Sequence, residues 1–130
     1  MEQNVIDTVA AMTAALERGD VDAVLSYYLP EAVVAFAPGE LANGEQQLRA
    51  GFAEFAALRP AFHYENGHEV MLADDTALHI APWTMSGTAP DGTQVTESGL
   101  SVATLRRQPD STWKILLDNP FGARLIPDQV

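Results

Sequence analysis

The chain contains no cysteine, which excludes both a disulfide framework and a thiolate metal site. Basic residues are scarce: 7 Lys and Arg stand against 18 Asp and Glu, for a formal net charge of −11. Such a field repels nucleic-acid backbones and anionic membranes. The adjacent pair Arg106 and Arg107 is too small for a phosphate-binding patch, so neither a nucleic-acid nor a membrane partner is expected. Long apolar runs are also missing. None approaches the roughly 20 residues of a membrane span, and the segment MEQNVIDTVAAMTAALERGD carries acids where a signal peptide needs bases. A cytoplasmic protein without cofactor is the expectation.

What is present is enough apolar material for a core. With 130 residues and 47% hydrophobic content, residues 1–130 are expected to form one domain. Val5, Ile6, Val9, Met12, Ala15 and Leu16 recur at three and four, which predicts an amphipathic helix stopped at Gly19. Asp20 is a candidate N-cap for a second helix, VDAVLSYYL, closed by Pro30. AVVAFAPG reads as a short buried strand, ELANG as a loop, and EQQLRAGFAEFAAL as a third helix ended at Arg59-Pro60. After Pro60 the period changes to two. AFHYENGHEVML, TALHIAPWTMSGT, QVTESGLSVATLRRQ and TWKILLDN are separated by the turn-forming links ADD, APDG and PDS, which predicts an antiparallel meander. Gly67, Pro82 and Gly99 mark places for bulges or kinks, so the sheet should curve strongly.

Helices first, then a short strand, a third helix and a curved meander is an α+β order. In AALERGDVDAVLSYYLPEAVVAF, NGEQQLRAGFAEF and DSTWKILLDNPFG the chain resembles the nuclear transport factor 2-like superfamily, in its SnoaL-like and ketosteroid-isomerase-like branch. The resemblance implies a cone-shaped α+β barrel, with three N-terminal helices packed on a strongly curved, mainly antiparallel sheet around a pocket. It also implies frequent homodimerisation through the outer sheet face. It implies no single reaction, because related folds host isomerases, cyclases, dehydratases and noncatalytic binding domains. In ketosteroid isomerases a first-helix tyrosine and a meander aspartate hold the oxyanion, while an aspartate after the first strand moves the proton. The matching positions fall near Met12, near Thr104 and at Phe36. None carries the required group, so steroid-isomerase chemistry by that mechanism is disfavoured.

The closing stretch WKILLDNPFG puts an acid and an amide at the end of an apolar strand. Alternation places Trp113, Ile115, Leu117 and Asn119 on one face and Lys114, Leu116 and Asp118 on the other. The resemblance puts the first set, with Phe121, on the pocket side. Asn119 is then either a ligand-orienting amide or a tie to neighbouring backbone, and Asp118 points outward. Tyr28, four residues after Val24 on a helical stripe, is the tyrosine expected at the pocket, either as a donor to an oxyanion or as a core residue.

Glu97 interrupts the third meander strand, with Thr84 as its possible cross-strand partner. If it faces the cavity, desolvation suits it to proton transfer; a one-residue change of register would turn it to solvent. His63 alternates with Ala61 and Glu65 and is expected to point outward, whereas His68, beside Gly67, has no assigned face. His79 alternates with Trp83 and Met85, and the resemblance makes this stripe the outer face and the homodimer surface. No histidine pair has metal-binding spacing, so no metal is expected.

These residues point to a small-molecule-binding protein with an apolar cone-shaped pocket for a small apolar ligand. It would act as an isomerase, cyclase or dehydratase, with Glu97 as acid–base and Tyr28 or Asn119 as polariser. Phe36, Trp113 and Phe121 would supply apolar ligand contacts. The alternative is a noncatalytic dimeric binding or accessory domain.

Overall fold

The computed structural model of the chain describes residues 2–64 and 67–125. Helix α1 (Glu2–Glu17) buries Val5, Val9, Met12, Ala15 and Leu16, the stripe set by their spacing. Gly19 turns the chain at φ 78°, and the Asp20 carboxylate accepts from Ala23 N at 3.1 Å to cap α2 (Val21–Leu25). That helix is shorter than expected. Tyr28 is already the first residue of β1 (Tyr28–Ala37), and Pro30 lies in this strand where the register shifts against its neighbour. β1 folds back over Pro38-Gly39 onto β2 (Glu40–Asn43), a strand where a loop was expected. Helix α3 (Gly44–Ala56) follows and buries Leu48 and Phe52.

The first alternating run divides around Gly67 into β3 (Ala61–Tyr64) and β4 (Glu69–Ala73). Both pair with the long strand β5 (Thr76–Thr88), β4 on its first half and β3 on its second. β5 forms a hairpin with β6 (Gln94–Arg107), which pairs with β7 (Trp113–Asn119). The result is one curled sheet in the order β2-β1-β7-β6-β5-β3, antiparallel except where β1 runs parallel to β7. With the helices over its concave side it makes the expected α+β cone, although the sheet stays open rather than closing into a barrel. No helix among the described residues is long and apolar enough to cross a membrane.

One strand, β5, carries its side chains on faces opposite to those expected, and a second, β7, does so beyond its bulge. On β5 the residues Ala77, His79, Ala81, Trp83 and Met85 are buried on the concave side, while Leu78, Ile80 and Pro82 stand half-buried on the outside. His79, Trp83 and Met85 are therefore not a dimer surface. Both faces of this strand are apolar, so alternation alone cannot orient it. What fits the inner face is the pair of small alanines, and the indole N–H of Trp83 finds a buried acceptor in Pro120 O at 2.9 Å.

On β7, Leu105 pairs with Ile115 and Thr104 with Leu117, which leaves Leu116 as an extra residue. This β-bulge shifts the alternation by one. Trp113 and Ile115 stay inside, Leu117 turns out to 47% exposure, and Asp118 turns in and is buried.

Candidate active site

Within the cone lies a cavity of about 70 Å³, roughly five times what one water requires. Its walls are apolar: Val9, Met12 and Leu16 from α1, Phe52 and Phe55 from α3, and Phe36, Trp83 and Phe121 around them. The ring of Phe36 meets Phe52 edge-on, with centroids 4.9 Å apart. It can lie there because residue 51 is glycine; a Cβ at that position would collide with the Phe36 ring.

A few polar side chains interrupt this lining. The phenol of Tyr28 donates to Asp118 Oδ2 at 2.6 Å, a buried contact between the first residue of β1 and the end of β7. Burial pushes the Asp118 carboxyl up to about 6, with the Tyr28 hydrogen bond pulling in the other direction. Burial, and then the neighbouring Asp118 charge, hold Tyr28 well above the usual phenol range, so it stays a donor. Tyr64 also borders the cavity. Its hydroxyl lies 3.0 Å from Thr13 Oγ1, and burial raises its pKa.

The third polar group is His79, fully buried on β5. Its Nε2 lies 2.7 Å from Nδ1 of the half-exposed His68, and its own Nδ1 has no hydrogen-bond partner among the described residues. Burial and then the neighbouring His68 lower His79 to about 4, and burial also lowers His68. Near neutral pH both rings are therefore uncharged and share one N–H. Among the described residues no group of three or more His, Cys, Asp or Glu is placed to hold a metal ion.

The ladder aligns these groups. His79 pairs with Ala103 and Ala103 with Asp118, so an imidazole and a carboxyl stand in one inner row with a single methyl between them. The same row continues apolar on both sides, to Val70 and to Val34. Two strand spacings separate the pair by about 10 Å along the sheet. That gap is floored by Ala103, and all three residues line the cavity.

Of the residues singled out from sequence, Tyr28, Phe36 and Phe121 line this cavity. Trp113 is buried in the core beneath it. Asn119 does not face the cavity as expected: the bulge gives that place to Asp118, and Asn119 Oδ1 accepts from Phe121 N at 3.0 Å, a strand-end tie. Glu97 pairs with Met85, not Thr84, and so sits on the inner face of the sheet. It lies past the cavity, exposed at an open depression that shares Phe62 and Phe121 with the cavity lining. His63 points outward on β3, as alternation indicated; Glu65, expected beside it, falls outside the described residues.

Asp118 and His79 are the site groups that sequence reasoning missed. The adjacent leucines before Asp118 are the visible trace of the bulge. For His79 the signal is the alanine two residues to either side, small neighbours that leave an imidazole room to face inward.

Comparison with known proteins follows this geometry. The model of the SnoaL-like domain matches residues 9–110. A crystal structure described as a candidate aromatic ring hydroxylase from Novosphingobium aromaticivorans is 27% identical, covering 97% of this chain and 90% of that one, with a TM-score of 0.82. A candidate dehydratase of the NTF2-like family from Streptomyces avermitilis is 20% identical, with coverages of 90% and 92% and a TM-score of 0.79. A candidate scytalone dehydratase from Novosphingobium aromaticivorans is 12% identical, with coverages of 90% and 80% and a TM-score of 0.79. Among curated proteins the chain finds no match. The fold, the helix-covered cone and a family match over most of the length agree: the chain shares its fold with NTF2-like structures and belongs to the SnoaL-like domain family.

Proposed function

We propose that the chain is an acid–base enzyme of the isomerase or dehydratase type, acting on a small, mainly apolar cyclic molecule that bears a carbonyl or hydroxyl oxygen. The names of its structural neighbours do not agree on one reaction, so the reading rests on the site. The observation that carries it is the buried Asp118 carboxyl, poised near neutral pH in an apolar cavity one ladder row across from an unpartnered imidazole nitrogen. A base works best when its pKa lies near the working pH. Asp118 would take a proton from carbon, Tyr28 would fix the carboxyl's orientation, and His79 Nδ1 would give a hydrogen bond or proton to the oxygen. Glu97, at the outer depression, is too exposed to serve as the desolvated acid.

The first step common to such reactions is removal of a proton next to a carbonyl, and cyclohexanone in D2O reports it by NMR. The chain should catalyse deuterium exchange at the carbons beside the carbonyl, and Asp118→Asn should abolish it. Exchange no faster than in buffer, or undiminished in Asp118→Asn, sinks the reading. Saturable binding of the probe without exchange would support the noncatalytic alternative.

The partner proposed for the outer sheet face is a second copy of the chain. Met71, Leu78, Thr104 and Leu117 form one uncharged outer row across β4, β5, β6 and β7, flanked by Ile80 and Val102. Copies carrying a net charge of −11 repel each other least where this uncharged row meets its like.

A further inference from the structure

His68 has no part in the chemistry proposed above, yet among the described residues it is the hydrogen-bond partner of the His79 side chain, which is fully buried. When His79 gives its Nδ1 proton to a cavity molecule, the ring stays neutral only by taking a proton at Nε2, and Nε2 touches His68. His68 reaches solvent, being half-exposed just before β4. We infer that His68 and His79 form a two-imidazole proton path between solvent and the cavity, with His68 as the positioning residue through which His79 is reloaded. This rests on the acid–base reading of the same cavity.

The surroundings favour transfer along the pair over trapping. The Tyr64 ring packs tilted against His68 with centroids 4.9 Å apart, but its hydroxyl is engaged by Thr13. From the strands beside His79 come Val70 and Ala103, and from α1 come Met12 and Thr13. Glu69, next to His68 in sequence, pairs with Ile80 and so belongs to the outer face. The other titratable groups lining the cavity are Tyr28 and Asp118, bonded to each other. Among the described residues no carboxylate pairs with either imidazole. Two neutral rings joined by one hydrogen bond relay a proton without separating charge when one leaves His79 Nδ1 as another enters at His68 Nε2.

A dehydration then balances as follows. Asp118 takes the proton from carbon, the carbon–carbon double bond forms, and the C–O bond breaks. The departing oxygen takes the Nδ1 proton of His79 and leaves as water. His79 Nε2 takes the Nδ1 proton of His68, and His68 Nε2 takes one from solvent. The product water next accepts the Asp118 proton and returns one to His79 Nδ1, which drives the path backwards and releases a proton at His68 Nε2. Both rings regain their first tautomers, and no net proton is consumed.

The test uses the intact chain with 3-hydroxycyclohexanone, whose loss of water to cyclohexenone is read by ultraviolet absorbance. His68→Ala should lower kcat about tenfold, less than the hundredfold or more of a direct acid or base, with KM unchanged and a lower thermal midpoint because His79 Nε2 loses its partner. Added imidazole should restore the rate. A wild-type kcat in His68→Ala, or a loss that imidazole does not restore, overturns the path. Should the wild-type chain exchange neither cyclohexanone protons nor dehydrate this alcohol, the acid–base reading fails. The path is then decided by 15N NMR of the imidazoles. Titrating His68 must move the Nδ1 and Nε2 shifts of His79 in opposite directions, and shifts that stay fixed overturn it.

Discussion

His79 and Asp118 face the same cavity from one row of the ladder, with only Ala103 between them. They titrate in opposite senses to their usual values: burial lowers the histidine to about 4 and raises the aspartate to about 6. Near neutral pH the acid is mostly ionised and the imidazole neutral. This arrangement gives several measurable outcomes.

Asp118→Asn should stabilise the protein at pH 8 while removing proton transfer. The folded-state pKa lies above the usual carboxylate value, so the folded chain binds more protons between about pH 4 and 6, and stability falls as pH rises through that window. Above it, the buried charge costs on the order of 2–3 kcal/mol. The asparagine avoids that cost and still accepts from Tyr28. Calorimetry should show a higher midpoint for the variant at pH 8 and nearly equal midpoints below pH 4. An equal difference at both would count against a buried charge at this position.

His79→Gln should behave in the opposite way on the acid side. The unfolded chain protonates its histidine near pH 6.5 while the folded chain resists to about 4, so wild-type stability is lost as pH falls through this range. Relative to wild type, the variant should gain about 2 kcal/mol on going from pH 7.5 to 4.5. Urea melts at the two pH values measure this directly.

Tyr28→Phe leaves Asp118 Oδ2 without its donor. Since that hydrogen bond lowers the Asp118 pKa, its loss should move the pH midpoint of cyclohexanone exchange upward from about 6. The orphaned carboxylate should cost about 1–3 kcal/mol at pH 8. A pH–rate profile unchanged from wild type would show that the phenol does not tune the carboxyl.

Ala103→Leu fills the gap between imidazole and carboxyl. Its added atoms enter existing space, so the thermal midpoint should stay near that of wild type while probe exchange falls to background. Retained exchange would place the substrate elsewhere than over Ala103.

Ile80→Glu introduces charge beside the uncharged outer row, next to Glu69. Light scattering should then give the mass of one chain, 14.0 kDa, with the midpoint little changed apart from the lost association. Trp83→Arg should instead unfold the chain, because that indole is inside. A dimer that survives Ile80→Glu assigns the contact to another face.

Sequence reasoning reached furthest where one segment determines its own structure. The stripe from Val5 to Leu16 specifies α1 through local spacing, and the turn links specify the hairpins. Tyr28 was placed at the pocket through a helical argument although it begins a strand, because either element buries that position. The misplacements share another cause. Whether Asp118 or Asn119 faces inward depends on the number of residues in β6 that oppose β7, and the residues of β7 carry no record of that count. For β5, Leu78, Ile80 and Pro82 would have made as plausible a core row as the true one. Only the helices packed against it, and the acceptor awaiting Trp83, settle the choice.

The bulge at Leu116 also bears on how such proteins diverge. Simple pairing of Leu116 with Thr104 would turn Asp118 away from the cavity without changing one amino acid, whereas loss of the codon for Leu116 would leave Asp118 inside. Relatives with the same residues in this strand but no bulge would therefore present different chemistry inside the same shell. For assigning activities across the family, the pairing of this segment is as informative as its letters.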